Sequence, residues 1–155
     1  MSATVTIRIQ SDDFDIAAEI AALTKAKADI GAVVSFSGIC RSGEGDKAIA
    51  AMTLEHYSGM AEAEIARHVH EATSRWPLHG VTVIHRYGRV VPGDNIVLVL
   101  TASKHRETAF QAAEFLMDYL KTNAPFWKSE ERIGSTAQWV DARADDDSAT
   151  ARWEK

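Results

Sequence analysis

Thr101 to Glu130, TASKHRETAFQAAEFLMDYLKTNAPFWKSE, is the stretch from which the rest of the chain can be read. It opens as a strand end, passes a basic turn, continues as an amphipathic helix, stops at proline, and ends on an aromatic pair and a lysine. Phe110, Ala113, Met117 and Leu120 recur at three- and four-residue steps and predict one buried helical face. At about 100° per residue, Arg106 and Lys121 fall on the flanks of that face. Pro125 cannot continue the helix and biases Ala124 toward extended backbone. The chain is therefore expected to turn after Asn123, with Phe126 and Trp127 anchoring the turn by burial. His105, Arg106, Lys121 and Lys128 then bracket one short unit, an arrangement suited to an anion. A plainer explanation competes: lysines at a helix C-terminus are favoured by the helix dipole in any protein. Against it stand Lys128, which lies beyond the helix beside two large rings, and the His105-Arg106 pair, which enters the helix where free backbone N–H groups attract negative ligands.

The surrounding composition sets bounds. At 155 residues and 46% hydrophobic content, the chain is long enough to bury a core. One domain over 1–144 is expected, followed by a polar tail over 145–155, opened by Asp145, Asp146 and Asp147, that is expected to be mobile. A net charge of −5 argues against a general nucleic-acid or membrane-surface binder, so a local basic cluster is the more informative feature. No apolar run approaches the ~20 residues of a membrane span. The N-terminal MSATVTIRIQ lacks the pattern of a secretory signal, and the single cysteine excludes an internal disulfide. The expected compartment is the cytoplasm.

Taken in order, Thr4 to Ile9 alternates as a first strand, and Asp15 to Lys27 reads as a helix capped by Ser11 or Asp12. Gly31 to Gly38 is a strand leading into Ile39, Cys40, Arg41 and a glycine-rich loop. Arg41 offers a planar fork for phosphate or carboxylate, or else is a surface arginine paired with Glu44 or Asp46. Cys40 is either a thiolate nucleophile or a small buried residue. Ile49 to Tyr57 alternates as a strand. Gly59 to Trp76 reads as a helix with Met60, Ala63, Ala66, Val69 and Thr73 on its apolar side. His68 and His70 are two apart and point about 200° from each other, so they cannot share a metal. Val81 to Tyr87 and Asn95 to Ala102 are strands joined through a Pro92-Gly93-Asp94 turn, the second apolar on both faces and so central. A hairpin around Gly134-Ser135 follows, with Trp139 and Val140 buried. The order β-α-β-β-α-β-β-α-β-β predicts a single α+β domain with three main helices and a mixed or antiparallel sheet.

Seven segments also form a familiar set: GAVVSFSGICR (31–41), LEHYSGMAE (54–62), RWPLHGVTVIHRYG (75–88), PGD (92–94), SKHRETAF (103–110), MDYLKTNAPFWKSE (117–130) and WVDAR (139–143). In this order and spacing the chain resembles the large, catalytic subunit of molybdopterin synthase over nearly its whole length. The resemblance implies an α/β hammerhead fold and a sulfurtransferase. Sulfur passes from the C-terminal Gly-Gly thiocarboxylate of a small ubiquitin-like subunit to cyclic pyranopterin monophosphate, and two transfers form the dithiolene of molybdopterin for molybdenum cofactor biosynthesis. It implies a homodimer of the large subunit within a heterotetramer. No ligand cluster with metal-binding spacing appears in the sequence, so no metal or cofactor is expected. By position the resemblance assigns Lys121 and Lys128 as catalytic and Arg41, His105 and Arg106 as anion-binding. Ile39, Cys40, Ser129 and Glu130 would line the pocket through backbone atoms. The chain departs from the family at Ile39 and Ser129, where basic residues are frequent. Other readings of the same residues are a lysine Schiff-base enzyme acting on a carbonyl substrate, a non-catalytic anion- or partner-binding subunit, and a ligand sensor.

Overall fold

The computed structural model describes residues 3–45, 48–123, 125–133, 138–139, 150, 151 and 153. In chain order the elements are β1 (Thr4–Gln10), α1 (Ile16–Thr24), β2 (Ala32–Ile39), β3 (Ile49–His56), α2 (Met60–Arg75), β4 (Leu78–Arg86), β5 (Gly88–Val90), β6 (Asn95–Ser103), α3 (Arg106–Thr122), β7 (Phe126–Arg132) and β8 (Gln138–Trp139). They form two four-stranded sheets, ordered β1-β4-β6-β2 and β5-β3-β7-β8. Among the described strands only β1 and β4 pair in parallel. The α+β class and the mixed and antiparallel pairing match the expectation, and β6 is central as its two apolar faces require. The division into two sheets was not legible. It depends partly on β5, whose three residues pair with Met52–Leu54 and are too few to show an alternation.

The first sheet is covered on one face by α2 and α3 and on the other by α1. Ile65, Val69, Phe115, Leu116 and Leu120 pack on Val81, Val83, Val97 and Val99. Leu23 and Phe14 pack on Ile84, Leu98 and Leu100 of the opposite face. A smaller cluster of Cys40, Ile49, Met52, Leu54 and Val90 fills the inner face of the second sheet and shares Ile96 with the main core.

Several local expectations are corrected. The cap of α1 is Asp15, which accepts from the Ala18 N–H at 3.0 Å, not Ser11 or Asp12. The helix ends at Thr24, since Ala26 takes a φ of 58° outside the helical region. In α2 the buried side is Ala61, Ile65, His68, Val69 and Ala72, while Met60 is exposed. Alanine fits either stripe, and the sheet side is decided by the bulkier Ile65. In α3 the buried side broadens to include Ala109, Ala112, Phe115 and Leu116, and Phe110 is left 60% exposed. Phe126 and Trp127 begin a strand where a turn was expected. Trp127 is exposed, with its ring edge-on to Tyr57 at 4.6 Å. Trp139 is exposed rather than buried. It pairs opposite Ser129, while Gly134, Ser135 and Val140 lie outside the described residues.

The far end of the segment expected as a mobile tail is packed. Thr150 is buried and donates to the Asp118 carbonyl at 2.9 Å. The Trp153 ring meets Trp76 and Phe115 edge-on, and Arg75 donates to its carbonyl at 2.9 Å. Residues 145–149 lie outside the described residues.

The turn from β6 into α3 is crowded against Gly31. Its N–H donates to the Ser103 carbonyl at 3.0 Å, and a Cβ there would stand 2.3 Å from the Lys104 carbonyl oxygen. Gly31→Ala is expected to cost about 1–3 kcal/mol, read as a lower urea midpoint at unchanged slope. An unaltered midpoint would contradict this close approach.

Candidate anion site at the end of the first sheet

Strand register shows which basic residues meet. At one end of the first sheet Ile39 lies opposite Asn95 and His85 opposite Val97. At the other end both Ala32 and Leu78 lie opposite Ser103. β6 runs from the first end to the second, and α3 returns over it. Near the helix start Thr101 Oγ1 donates to the Ala109 carbonyl at 2.7 Å, and at the helix end the charge of Lys121 reaches His85. Lys121 therefore stands at the Ile39–Cys40 end, while His105 and Arg106 stay at the Ser103 end. Fifteen residues of helix separate Arg106 from Lys121, about 22 Å at 1.5 Å per residue. The four cations do not bracket one pocket within a single chain, because the helix between them spans the whole sheet.

Lys128 joins Lys121 through β7. Phe126, Lys128 and Glu130 lie opposite His56, Leu54 and Met52, and directly paired residues share a face. That face is the inner one, where Leu54 and Met52 are buried with Cys40. Phe126 stacks on His85, the ring beside Lys121. Lys121 thus stands near the ring on which Phe126 stacks, and Lys128 follows two residues on along the same face of β7. Trp127, Ser129 and Glu131 take the outer face, so only the Ser129 backbone borders the Lys128 side. An open depression of about 400 Å³, lined by Glu55, His56, Tyr57, Trp127 and Trp139, lies at this end of β3 and β7, and neither lysine is among its lining residues.

The Cys40–Arg41 junction comes to the same end. A bulge at Gly38/Ile39 turns the strand, leaving Ile39 exposed and Cys40 buried. The Cys40 N–H donates to the Asp94 carbonyl at 2.9 Å, and the Gly93 N–H donates to the Cys40 carbonyl at 2.8 Å. The Pro92-Gly93-Asp94 turn therefore clamps the residue before Arg41. Burial first, then the charges of Asp94 and Glu130, push the Cys40 thiol up and keep it protonated, which disfavours the nucleophile reading. Arg41 is exposed and forms no ion pair with Glu44, and Asp46 lies outside the described residues. Among the described residues Lys128 likewise makes no ion pair, and Glu130 is nearest to Arg132, at 3.9 Å. No three His, Cys, Asp or Glu side chains among the described residues are grouped as metal ligands.

One residue of this end was not singled out from the sequence. His85 is buried, and its Nδ1 donates to the Arg86 carbonyl at 2.8 Å. Burial lowers its pKa to about 4; the bond to Arg86 opposes the shift, and the charges of Lys121 and His56 add to it. An unfolded imidazole titrates near 6.5, so between these values the unfolded chain binds the extra proton. The contribution of a neutral His85 is complete above about pH 6.5 and falls away as pH drops, by about 3 kcal/mol at pH 4. Urea titrations between pH 7 and 4.5 should show a smaller acid loss in His85→Phe than in the parent. Identical acid dependence would assign the loss to other groups.

A family described as MoaE protein matches residues 9–123, a span that holds Arg41, His105, Arg106 and Lys121 and stops short of Lys128. The molybdopterin synthase catalytic subunit of Mesorhizobium japonicum is 62% identical over 149 residues, covering 96% of this chain and 92% of the relative. The solved molybdopterin biosynthesis MoaE protein from Burkholderia ambifaria MC40-6 superposes with a TM-score of 0.83 at 49% identity, over 98% of this chain and 99% of that one. A chain in the protein–protein complex of subunits 1 and 2 of molybdopterin-converting factor from Helicobacter pylori 26695 shares the fold, with a TM-score of 0.66 at 23% identity over 84% and 89% of the two chains. A family match across most of the chain, and a relative this similar over nearly its full length, establish that the chain belongs to the MoaE protein family.

Proposed function

We propose that this chain is the catalytic subunit of a molybdopterin synthase. It would direct sulfur from the C-terminal thiocarboxylate of a small ubiquitin-like subunit onto cyclic pyranopterin monophosphate, forming the dithiolene of molybdopterin in two transfers. The observation that supports this best is the meeting of Lys121, Lys128 and the Arg41 junction at one end of an acidic protein, with Arg41 and Lys128 free of ion pairs among the described residues. Both reactants are anions. Two unit charges at about 5 Å repel by roughly 3 kcal/mol at an effective dielectric of 20, and clustered cations offset that cost.

In this reading Arg41 holds the cyclic phosphate in its planar fork. Lys121 lies against the incoming tail and stabilises the oxyanion formed when the acyl carbon is attacked and sulfur leaves it. The thiocarboxylate sulfur first bonds to a precursor carbon and displaces the oxygen held there; water then attacks the acyl carbon, so the acyl–sulfur bond breaks and the tail departs as an ordinary carboxylate. Lys128 acts as general acid or as a clamp on the pterin intermediate. The Cys40 thiol takes no part, and Cys40→Ser is expected to retain turnover. No helix among the described residues is long and apolar enough to cross a membrane, and a cytoplasmic setting suits a reduced, buried cysteine.

His105 and Arg106 enter the site from a second copy. Arg106, Phe110, Met117 and Lys121 lie within about 60° of one another on the flank of α3, and Phe110 is exposed there. That flank faces away from α2, whose His68 meets Tyr119 and whose C-cap Trp76 meets Phe115 on the opposite side of the helix. A two-fold axis midway between positions 113 and 114 pairs two such helices antiparallel. Phe110 then packs on the partner's helix, and Lys121 meets the partner's Arg106.

Lys121→Ala should lower precursor conversion at least a hundredfold while affinity for the small subunit, measured by calorimetry, is unchanged. Retained turnover would remove Lys121 from the chemistry. Mixing inactive Arg106→Ala and Lys121→Ala chains tests the shared site. Statistical exchange rebuilds one complete site in each mixed dimer and should restore roughly a quarter of parental activity. No recovery after verified exchange would count against a site completed across the dimer.

A further inference from the structure

His85 has no role in the sulfur-transfer reading, yet its ring lies between the two elements that carry the lysines. It stacks nearly flat on Phe126, with centroids 3.8 Å apart and planes 16° apart. Phe126 opens β7 and precedes Lys128 by two positions on the same face. On its other side Phe126 meets His56 at 5.9 Å, and His56 meets Tyr87 at 4.8 Å. The last turn of α3, with Lys121, stands within electrostatic reach of the same imidazole.

The ring is itself held. A carbonyl only accepts, so the 2.8 Å contact to the Arg86 oxygen puts the proton on Nδ1 and fixes the tautomer. Arg86 is anchored in turn, its guanidinium donating to the Ser11 carbonyl at 3.0 and 3.1 Å and to the Asn95 carbonyl at 3.0 Å. A leucine in this place would fill space without a flat face, and a phenylalanine would keep the stack but lose the bond that orients it. The ring is thus both buried and fixed by a specific bond, which sets this position apart from an ordinary apolar core residue.

We propose that His85 is a positioning residue for the lysine pair: oriented by the Arg86 carbonyl, its ring clamps Phe126 and sets the angle at which β7 leaves the end of α3, and with it the separation of the Lys121 and Lys128 ammonium groups. Its catalytic consequence rests on the sulfur-transfer reading, while its geometric content does not. A tilt of β7 about Phe126 moves Lys128 relative to Lys121, and an error of about 1 Å in such an arrangement is enough to cost on the order of a hundredfold in rate.

The test has two arms on the full-length chain. In the first, without reactants, Lys121 and Lys128 are joined by a short bifunctional amine reagent and the yield is measured by peptide mass spectrometry. In the second, kcat and KM for the pterin precursor are measured with the small subunit. His85→Ala should lower the cross-link yield several-fold and kcat about ten- to a hundredfold, with KM nearly unchanged. His85→Phe, which keeps the stack but loses the bond to Arg86, should recover both only in part, and Phe126→Leu should reproduce the alanine phenotype. Phe126→Leu decides the matter if His85→Ala loses cooperative unfolding. Parental cross-linking and kcat in cooperatively folded His85→Ala or Phe126→Leu would overturn the proposal, as would a loss confined to KM or a parent in which the two lysines cannot be joined. If the parent transfers no sulfur, the function assigned above falls and the cross-link arm alone decides the positioning role.

Discussion

The molecule depends on a match of lengths between one strand and one helix. β6 has nine residues and α3 has seventeen, which at ordinary rises are about 30 Å and about 25 Å. The helix therefore returns almost the full distance that the strand advances. Its last turn arrives at the end of the sheet where the strand begins, with Lys121 near His85. A helix two turns shorter would leave Lys121 over the middle of the sheet, stranded on buried valines. The same match holds His105 and Arg106 at the far end, so any use of them together with Lys121 needs a second chain.

Around that return path the electrostatics are arranged by exclusion more than by pairing. The chain is acidic overall, and the ion pairs among its described residues include Arg67 with Glu64, Arg75 with Glu71 and Arg89 with Glu131. These exposed pairs contribute little to stability. Arg41 and Lys128 remain outside them. The two potentially reactive groups of this end that are buried, Cys40 and His85, are both held uncharged: the thiol pushed up by burial and neighbouring carboxylates, the imidazole pushed down by burial and a neighbouring lysine. Burial therefore leaves the exposed cations as the charged actors of this end.

Much of this was readable in one dimension because it depends on local rules. Proline at 125 stops a helix wherever it occurs, the Pro92-Gly93-Asp94 turn follows from backbone preference, and the two-sided apolar run of β6 implies a central strand. Misread features share another cause. Met60 and Phe110 fit a helical period but lie on the rim of their faces, because the period fixes a stripe only to within a residue or so and alanines blur its edge. Trp153 is nearly forty residues in sequence from the Glu114–Asp118 turn it packs beside and nearly eighty from Arg75. No local pattern announces such a contact.

The order of residues by itself determined the helices and most strands and the α+β class, since these follow from spacing and propensity, and through the family resemblance it made Arg41, Lys121 and Lys128 candidates for one basic set. The tertiary structure decided which members of that set share one chain's surface. Register between strands and the direction of α3 are properties of contacts distant in sequence, and they alone separate Arg106 from Lys121 by the length of a helix. They also bring a buried histidine, which carries no distinguishing pattern in the sequence, against Phe126, two residues before Lys128.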